Sequence, residues 1–165
     1  MCRPAIFLDR DGVINIDKKY VYKISDFEWI QDSKKAIRYM KEKNYLIFVV
    51  TNQSGITRGY YNEKDVEILH TYINRELKKI NTQIDEFFYS PYHPEIRNAK
   101  YEKMQHLRKP NTGMLELAQK KWKFDKKNSL LIGDSASDME CAKNFGIKGL
   151  LFEKGSLLEF IKKTI

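Results

Sequence analysis

Cysteine is scarce in this chain of 165 residues, which has only Cys2 and Cys141. They show neither metal-ligand nor redox spacing. That excludes a disulfide-stapled fold, and both are expected as free thiols in a reducing compartment. No apolar run approaches the roughly 20 residues needed to cross a bilayer, so no membrane partner is expected. Arg3-Pro4 leads directly into an apolar run with no room for a signal peptide, and the expected location is the cytoplasm. Internal repeats and low-complexity segments are also missing, which excludes solenoids and disordered arrays. Proline is rare, and three of its four occurrences fall between residues 91 and 110.

What is present is the make-up of an ordinary globular protein. With 42% hydrophobic and 32% charged residues, the chain can build a proper core as one domain spanning 1–165. A net charge of +8 points toward anionic partners, either nucleic acid or phosphorylated metabolites. The basic pairs, however, are scattered over amphipathic stretches: Lys34-Lys35, Lys78-Lys79, Lys120-Lys121, Lys126-Lys127 and Lys162-Lys163. Such spacing marks solvated helix faces. Nucleic-acid binding would need basic and aromatic residues grouped on one face, so no nucleic-acid partner is expected.

Strand and helix patterns alternate along the chain. Apolar runs at Ala5–Leu8, Tyr45–Val50, Glu86–Tyr89, Ser129–Ile132 and Leu150–Phe152 read as buried strands. Helical spacing follows Ser33 as N-cap (Ala36, Ile37, Met40), Asn62 (Val66, Leu69, Ile73, Leu77, Ile80), Thr112 (Met114, Leu115, Ala118, Trp122) and Ser135 (Met139, Ala142, Phe145). Gly146 should stop the fourth helix, and Ser156 should start a last one. His70 lies beside the second helix's apolar stripe and reads as structural. The expected fold is a doubly wound, Rossmann-like α/β domain with one mostly parallel sheet and helices on both faces. The stretch Pro91–Pro110 has no periodicity, and a loop that long in a compact domain is usually functional.

In such sheets ligands bind outside the carboxyl ends of the strands. The polar residues fall there: Asp9 and Asp11 after the first strand, Thr51 and Asn52 after the second, Asp134 and Asp138 after the fourth. Arg108-Lys109 precedes a helix. Gly12 lets the backbone turn away after the acid pair. Carboxylates converging from separate strands repel one another unless a cation sits between them, and oxygen-only donors favour Mg²⁺. Thr, Asn and Lys suit the remaining oxygens of a phosphoryl group. An acid at a strand end also fits a receiver-like signalling domain, but Asp11 argues against one, since a neighbouring acid–base would shorten the life of a phosphoaspartate.

In these elements the chain resembles the haloacid dehalogenase-like phosphohydrolases, whose pattern is Asp-x-Asp, Ser/Thr, Lys, then an acidic pair. The stretches Asp9–Asn15, Thr51–Tyr60 and Arg108–Pro110 are similar to those of the D-glycero-D-manno-heptose 1,7-bisphosphate 7-phosphatases, and the histidinol-phosphate phosphatases share much of them. The resemblance implies a cytoplasmic, monomeric phosphatase acting on a small phosphorylated sugar. Histidinol phosphate and a DNA 3′-phosphate are the alternative substrates. It further implies Asp9 as nucleophile, Asp11 as general acid–base, and Thr51 and Lys109 as ligands of the transferring phosphoryl group. Mg²⁺ would be held by Asp9, the Asp11 carbonyl and Asp134, with Asp138 in support. Asp17, Tyr20, Thr51, Asn52, Gln53, Ser54, Arg108 and Lys109 match substrate-binding positions, while Arg58 reads as a surface base.

Two departures shape the expectations. No stretch between the motifs is long enough for a separate cap domain, so the site should be open. The resembling enzymes commonly carry a zinc loop of the form Cys-Pro-x-His and Cys-x-Cys-Arg-Lys-Pro. Here the cysteine positions read Ser90, Gln105 and Leu107. His93 and His106 are too few for a closed tetrahedral site, so no zinc is expected. Tyr92, Ile96, Tyr101, Met104 and Leu107 are expected to pack together in its place.

Overall fold

A computed structural model describes residues 2–165. Side chains of β1 (Pro4–Leu8) alternate between two apolar clusters, Ala5 and Phe7 in one, Ile6 and Leu8 in the other. A strand has a two-residue period, so an apolar run with no polar interruption must be covered on both faces. The chain continues through α1 (Ser33–Glu42), β2 (Leu46–Asn52), α2 (Glu63–Lys78) and β3 (Glu86–Ser90). The second half holds α3 (Gly113–Trp122), β4 (Asp125–Gly133), α4 (Ala136–Phe145), β5 (Lys148–Leu151) and α5 (Leu157–Lys162).

The strands form one sheet in the order β3-β2-β1-β4-β5, and every pairing is parallel. β1, β2 and β3 step outward one way and β4 and β5 the other, so the order reverses beside β1. Residues of α1, α2 and α5 cover the face carrying Ile6 and Leu8. Residues of α3 and α4 cover the face carrying Phe7 and Phe48. The doubly wound architecture is as expected, and no separate cap covers the carboxyl ends of the strands among the described residues. Cys2 is exposed and Cys141 buried, both as free thiols.

Several boundaries differ from the sequence reading. β2 begins at Leu46 and runs through Thr51 and Asn52, which pair with Tyr89 and Ser90 rather than forming a loop. β4 begins at Asp125, but its register against β1 is irregular between Pro4 and Ile6, and burial starts at Ser129. That is why only its second half looked like a strand. β5 runs from Lys148 to Leu151, and Phe152 just beyond it is buried, with its amide still donating to the Gly133 carbonyl at 2.8 Å. Ile80 lies beyond the end of α2. Ser33 is not the N-cap of α1: that position belongs to Asp32, whose carboxylate takes the Ser156 hydroxyl at 3.0 Å and ties α1 to α5. Asn62 does cap α2, exchanging hydrogen bonds with Asp65 at 2.9 and 3.0 Å.

Phe48 sits at the centre of an aromatic group, with Phe7, Trp122, Phe88 and Phe124 at centroid distances of 5.3, 5.5, 6.0 and 6.1 Å. Phe48→Ala should lower stability by about 3–5 kcal/mol, because the rigid neighbours cannot collapse into the space. A shift of the urea midpoint with an unchanged slope checks this.

Candidate active site

The reversal of strand order leaves a crevice at the carboxyl ends of β1 and β4, as open α/β sheets do. A cleft of about 590 Å³ opens there, lined by Asp9, Asp11, Asp17, Lys19, Tyr20, Asn52, Gln53, Ser54, Tyr61, Lys109, Asp134, Ser135 and Ser137. Most residues singled out by sequence meet in this cleft. Thr51 lies just behind it, Asp138 is buried beneath it, and Arg108 points elsewhere, donating to the Tyr92 carbonyl at 3.2 Å.

Lys109 organises the floor. Its ammonium is buried and reaches Asp138 Oδ1 at 2.6 Å, Asp9 Oδ1 at 3.0 Å and the Val50 carbonyl at 2.8 Å. Burial alone would pull the ammonium down. The carboxylates of Asp9 and Asp138 outweigh it and hold the group well above its usual range. Burial pushes Asp9 up, and Asp138 and Asp11 add to this against the pull of Lys109. A single cation cannot neutralise so many acids. Asp134 is raised for the same reasons, partial burial first and Asp138 second.

Local sequence explains how these groups come so close. Gly12 has φ of +87°, and a Cβ there would lie 1.9 Å from Asp134 Oδ2. Gly133 likewise leaves room for Asp138, whose Cβ would be 2.2 Å from an added methyl. Asp138 sits in the first turn of α4, where its Oδ2 takes the Ser135 amide at 3.2 Å and hydroxyl at 2.7 Å. Oxygens of Asp9, Asp134 and Asp138 all lie within 4.8 Å of one another, an all-oxygen set suited to a hard divalent cation.

Asp11 belongs to a different group. Its carboxylate takes Arg10 Nη2 at 3.1 Å on both oxygens, Asn15 Nδ2 at 3.0 Å and Gln53 Nε2 at 3.0 Å. Gln53 also donates to Thr51 Oγ1 at 2.8 Å and accepts from Tyr61 at 2.6 Å. Burial pushes the Tyr61 phenol up to about 12, so it stays a donor. Asn52 clamps the backbone of Lys109, accepting its amide at 3.0 Å and donating to its carbonyl at 3.1 Å. Sequence reasoning missed Arg10, Tyr61, Lys19, Ser135 and Ser137. For Arg10 a signal existed: it stands between two acids just after a buried strand, where a cation has anionic partners at hand, and it is fully buried with Nη2 on Asp11.

The 91–110 segment does not form its own apolar cluster. Tyr101 and Met104 pack instead against Ile56, Tyr61 and Val66, while Leu107 joins the core under β2 and α3. Neither Tyr92 nor Ile96 enters an apolar cluster among the described residues. Glu63 at the start of α2 binds Lys100 at 2.8 Å and Tyr101 at 3.4 Å. His93 accepts from Arg58 at 2.9 Å, and His106 bonds the Lys103 carbonyl at 3.1 Å. Arg58 is thus a half-buried prop of this segment rather than a free surface base.

A parallel sheet of this order, with carboxylates and a buried lysine at its switch point, is the frame of the haloacid dehalogenase-like phosphohydrolases. Residues 6–161 match the family model for polynucleotide kinase 3 phosphatase, and the chain belongs to that family. A D-glycero-α-D-manno-heptose-1,7-bisphosphate 7-phosphatase of Campylobacter jejuni is 46% identical over 151 residues, 92% of this chain and 83% of that protein. The corresponding β-anomer enzyme of Rhodopseudomonas palustris is 40% identical over 163 residues, 99% of this chain and 91% of that one. The D,D-heptose 1,7-bisphosphate phosphatase of B. bronchiseptica, solved with magnesium and phosphate, superposes with a TM-score of 0.79. That match is 27% identical and covers 97% of this chain and 86% of that one. Like these relatives, the chain is a phosphoric monoester hydrolase.

The floor of the cleft yields a stability prediction. Lys109→Met leaves Asp9 and Asp138 buried without their cation and should cost roughly 3–5 kcal/mol. Added magnesium should return part of this, since a cation bound only by the folded state stabilises it. Urea denaturation with and without MgCl₂ measures both effects.

Proposed function

We propose that the chain removes the 7-phosphate of D-glycero-D-manno-heptose 1,7-bisphosphate through a phosphoaspartate on Asp9. The observation that carries this reading is the convergence of Asp9, Asp11, Lys109 and Asp134 in one cleft. The Asp9 carboxylate attacks phosphorus, and the bond from phosphorus to the sugar oxygen breaks. Asp11 gives that oxygen its proton. Asp11 then takes a proton from water, whose oxygen attacks phosphorus and frees Asp9 and inorganic phosphate. Lys109 and Thr51 bind the transferring phosphoryl oxygens, with Asn52 holding the Lys109 backbone in place.

Mg²⁺ fits the donor set, held by the side chains of Asp9 and Asp134 and the backbone carbonyl of Asp11. It would offset the charge gathered between the carboxylates and the phosphate. Asp138 supports from beneath, because both its oxygens are already taken by Lys109 and Ser135. Asp17, Tyr20, Gln53 and Ser54 line the cleft where the sugar would lie, and we take the protein to act as a monomer. We take the 91–110 segment to work without zinc, held by Glu63, Tyr101 and the Arg58–His93 contact.

The size of the cleft suits a small molecule, for which sites of roughly 300–1,000 Å³ are usual. Its charged lining is four aspartates against Lys19 and Lys109. That balance disfavours a polyanionic strand, although the family model carries the name of a polynucleotide phosphatase. Phosphate release should be fastest from heptose 1,7-bisphosphate, at one phosphate per molecule. It should be slow from histidinol phosphate and slowest from a 3′-phosphorylated oligonucleotide. The reverse ranking would overturn the substrate assignment.

Rapid quenching should trap covalent phosphate on the wild type and on Asp11→Asn, and none on Asp9→Asn. Activity should vanish on chelation and return with magnesium, and metal analysis of the purified protein should find no stoichiometric zinc. Labelled Asp9→Asn protein would remove the nucleophile from its role.

A further inference from the structure

Arg10 is the largest fully buried side chain among the described residues. A guanidinium taken out of water persists only against strong compensation. Nη2 donates to Asp11 at 3.1 Å and to the Val21 carbonyl at 2.6 Å. Nη1 lies 3.3 Å from Nε2 of His70, and Nε has no partner among the described residues.

The chemistry of this contact fixes the histidine. Arginine carries only donors, so Nε2 of His70 must accept, and its proton resides on Nδ1. Burial, then the Arg10 charge, hold the imidazole far below its usual range, which keeps it neutral. Its ring stacks on Phe87 of β3, with centroids 4.4 Å apart and planes at 17°. The ring is therefore clamped between α2 and the sheet edge, with its acceptor aimed at Arg10.

We infer that His70 is a positioning residue for the general acid–base Asp11, acting through Arg10, sixty positions away in sequence. The inference rests on the role given to Asp11 above. Asn15 and Gln53 also hold Asp11, but neither carries charge, so Arg10 supplies the strong bond of the three. With the His70 acceptor gone, Nη1 loses its partner in a closed space. The guanidinium then turns toward other acceptors and draws the carboxylate with it. Displacement of a reacting group by about 1 Å costs on the order of a hundredfold.

The test uses two variants that differ in reach. The amide oxygen of His70→Gln falls where Nε2 lies, whereas that of His70→Asn falls short of Arg10. His70→Asn should lose roughly 10- to 100-fold in kcat with KM unchanged, and His70→Gln should retain most of kcat. Single-turnover phosphoenzyme formation supplies a second readout. A sugar phosphate needs a proton on its leaving oxygen; p-nitrophenyl phosphate does not. His70→Asn should be slowed on the sugar phosphate only, as Asp11→Asn should be. If Asp11→Asn shows no such split, the reading of Asp11 itself fails. If Asp11→Asn shows it and His70→Asn does not, or if the Asn and Gln variants behave alike, the positioning role is refuted.

Discussion

The buried ammonium of Lys109 is the contact on which the site depends. Asp9 directly follows β1 and Asp138 lies in the first turn of α4, and without a cation between them the two carboxylates would repel each other. Lys109 reaches both, and the Val50 carbonyl as well, so one side chain joins the ends of β1 and β2 to the first turn of α4. The contact also sets the chemistry. It leaves a surplus of negative charge that a divalent cation would offset, and the two carboxylates hold the lysine well above its usual range.

Two acids separated by one residue are sent into different surroundings. Asp9 joins the cluster around Lys109, while Asp11 is held by Arg10, Asn15 and Gln53. Gly12, with its positive φ, lets the chain turn directly after the acid pair and leaves room for Asp134 to come close. In the mechanism we propose, Asp9 is the nucleophile and Asp11 the acid–base; these roles need different partners, and this separation provides them within three residues.

The segment from 91 to 110 carries Lys109 into the site and must therefore be well placed. Its order comes from several modest contacts: Tyr101 and Met104 against Tyr61 and Val66, Lys100 and Tyr101 on Glu63, and Arg58 on His93. Each is worth little alone, and together they bind the segment to the start of α2. Asn52 then fixes the Lys109 backbone from the neighbouring strand.

By itself the sequence determined the alternation of strands and helices, because apolar runs and three- to four-residue spacings are local properties of the chain. It also marked Asp9, Asp11, Thr51, Lys109, Asp134 and Asp138, since polar residues at strand ends in an α/β pattern have few other uses. Only the tertiary structure decided how those residues are employed: Asn52 as a backbone clamp, Asp138, expected in a supporting role, as a fully buried partner of Lys109 and Ser135, and Arg108 turned away from the cleft. The contact of Arg10 with His70 was equally out of reach, as was the docking of Tyr101 on α2 instead of within its own loop. Periodicity tells which face a residue presents. It does not tell which distant element is packed against that face, and hydrogen bonds across sixty residues depend on that packing alone.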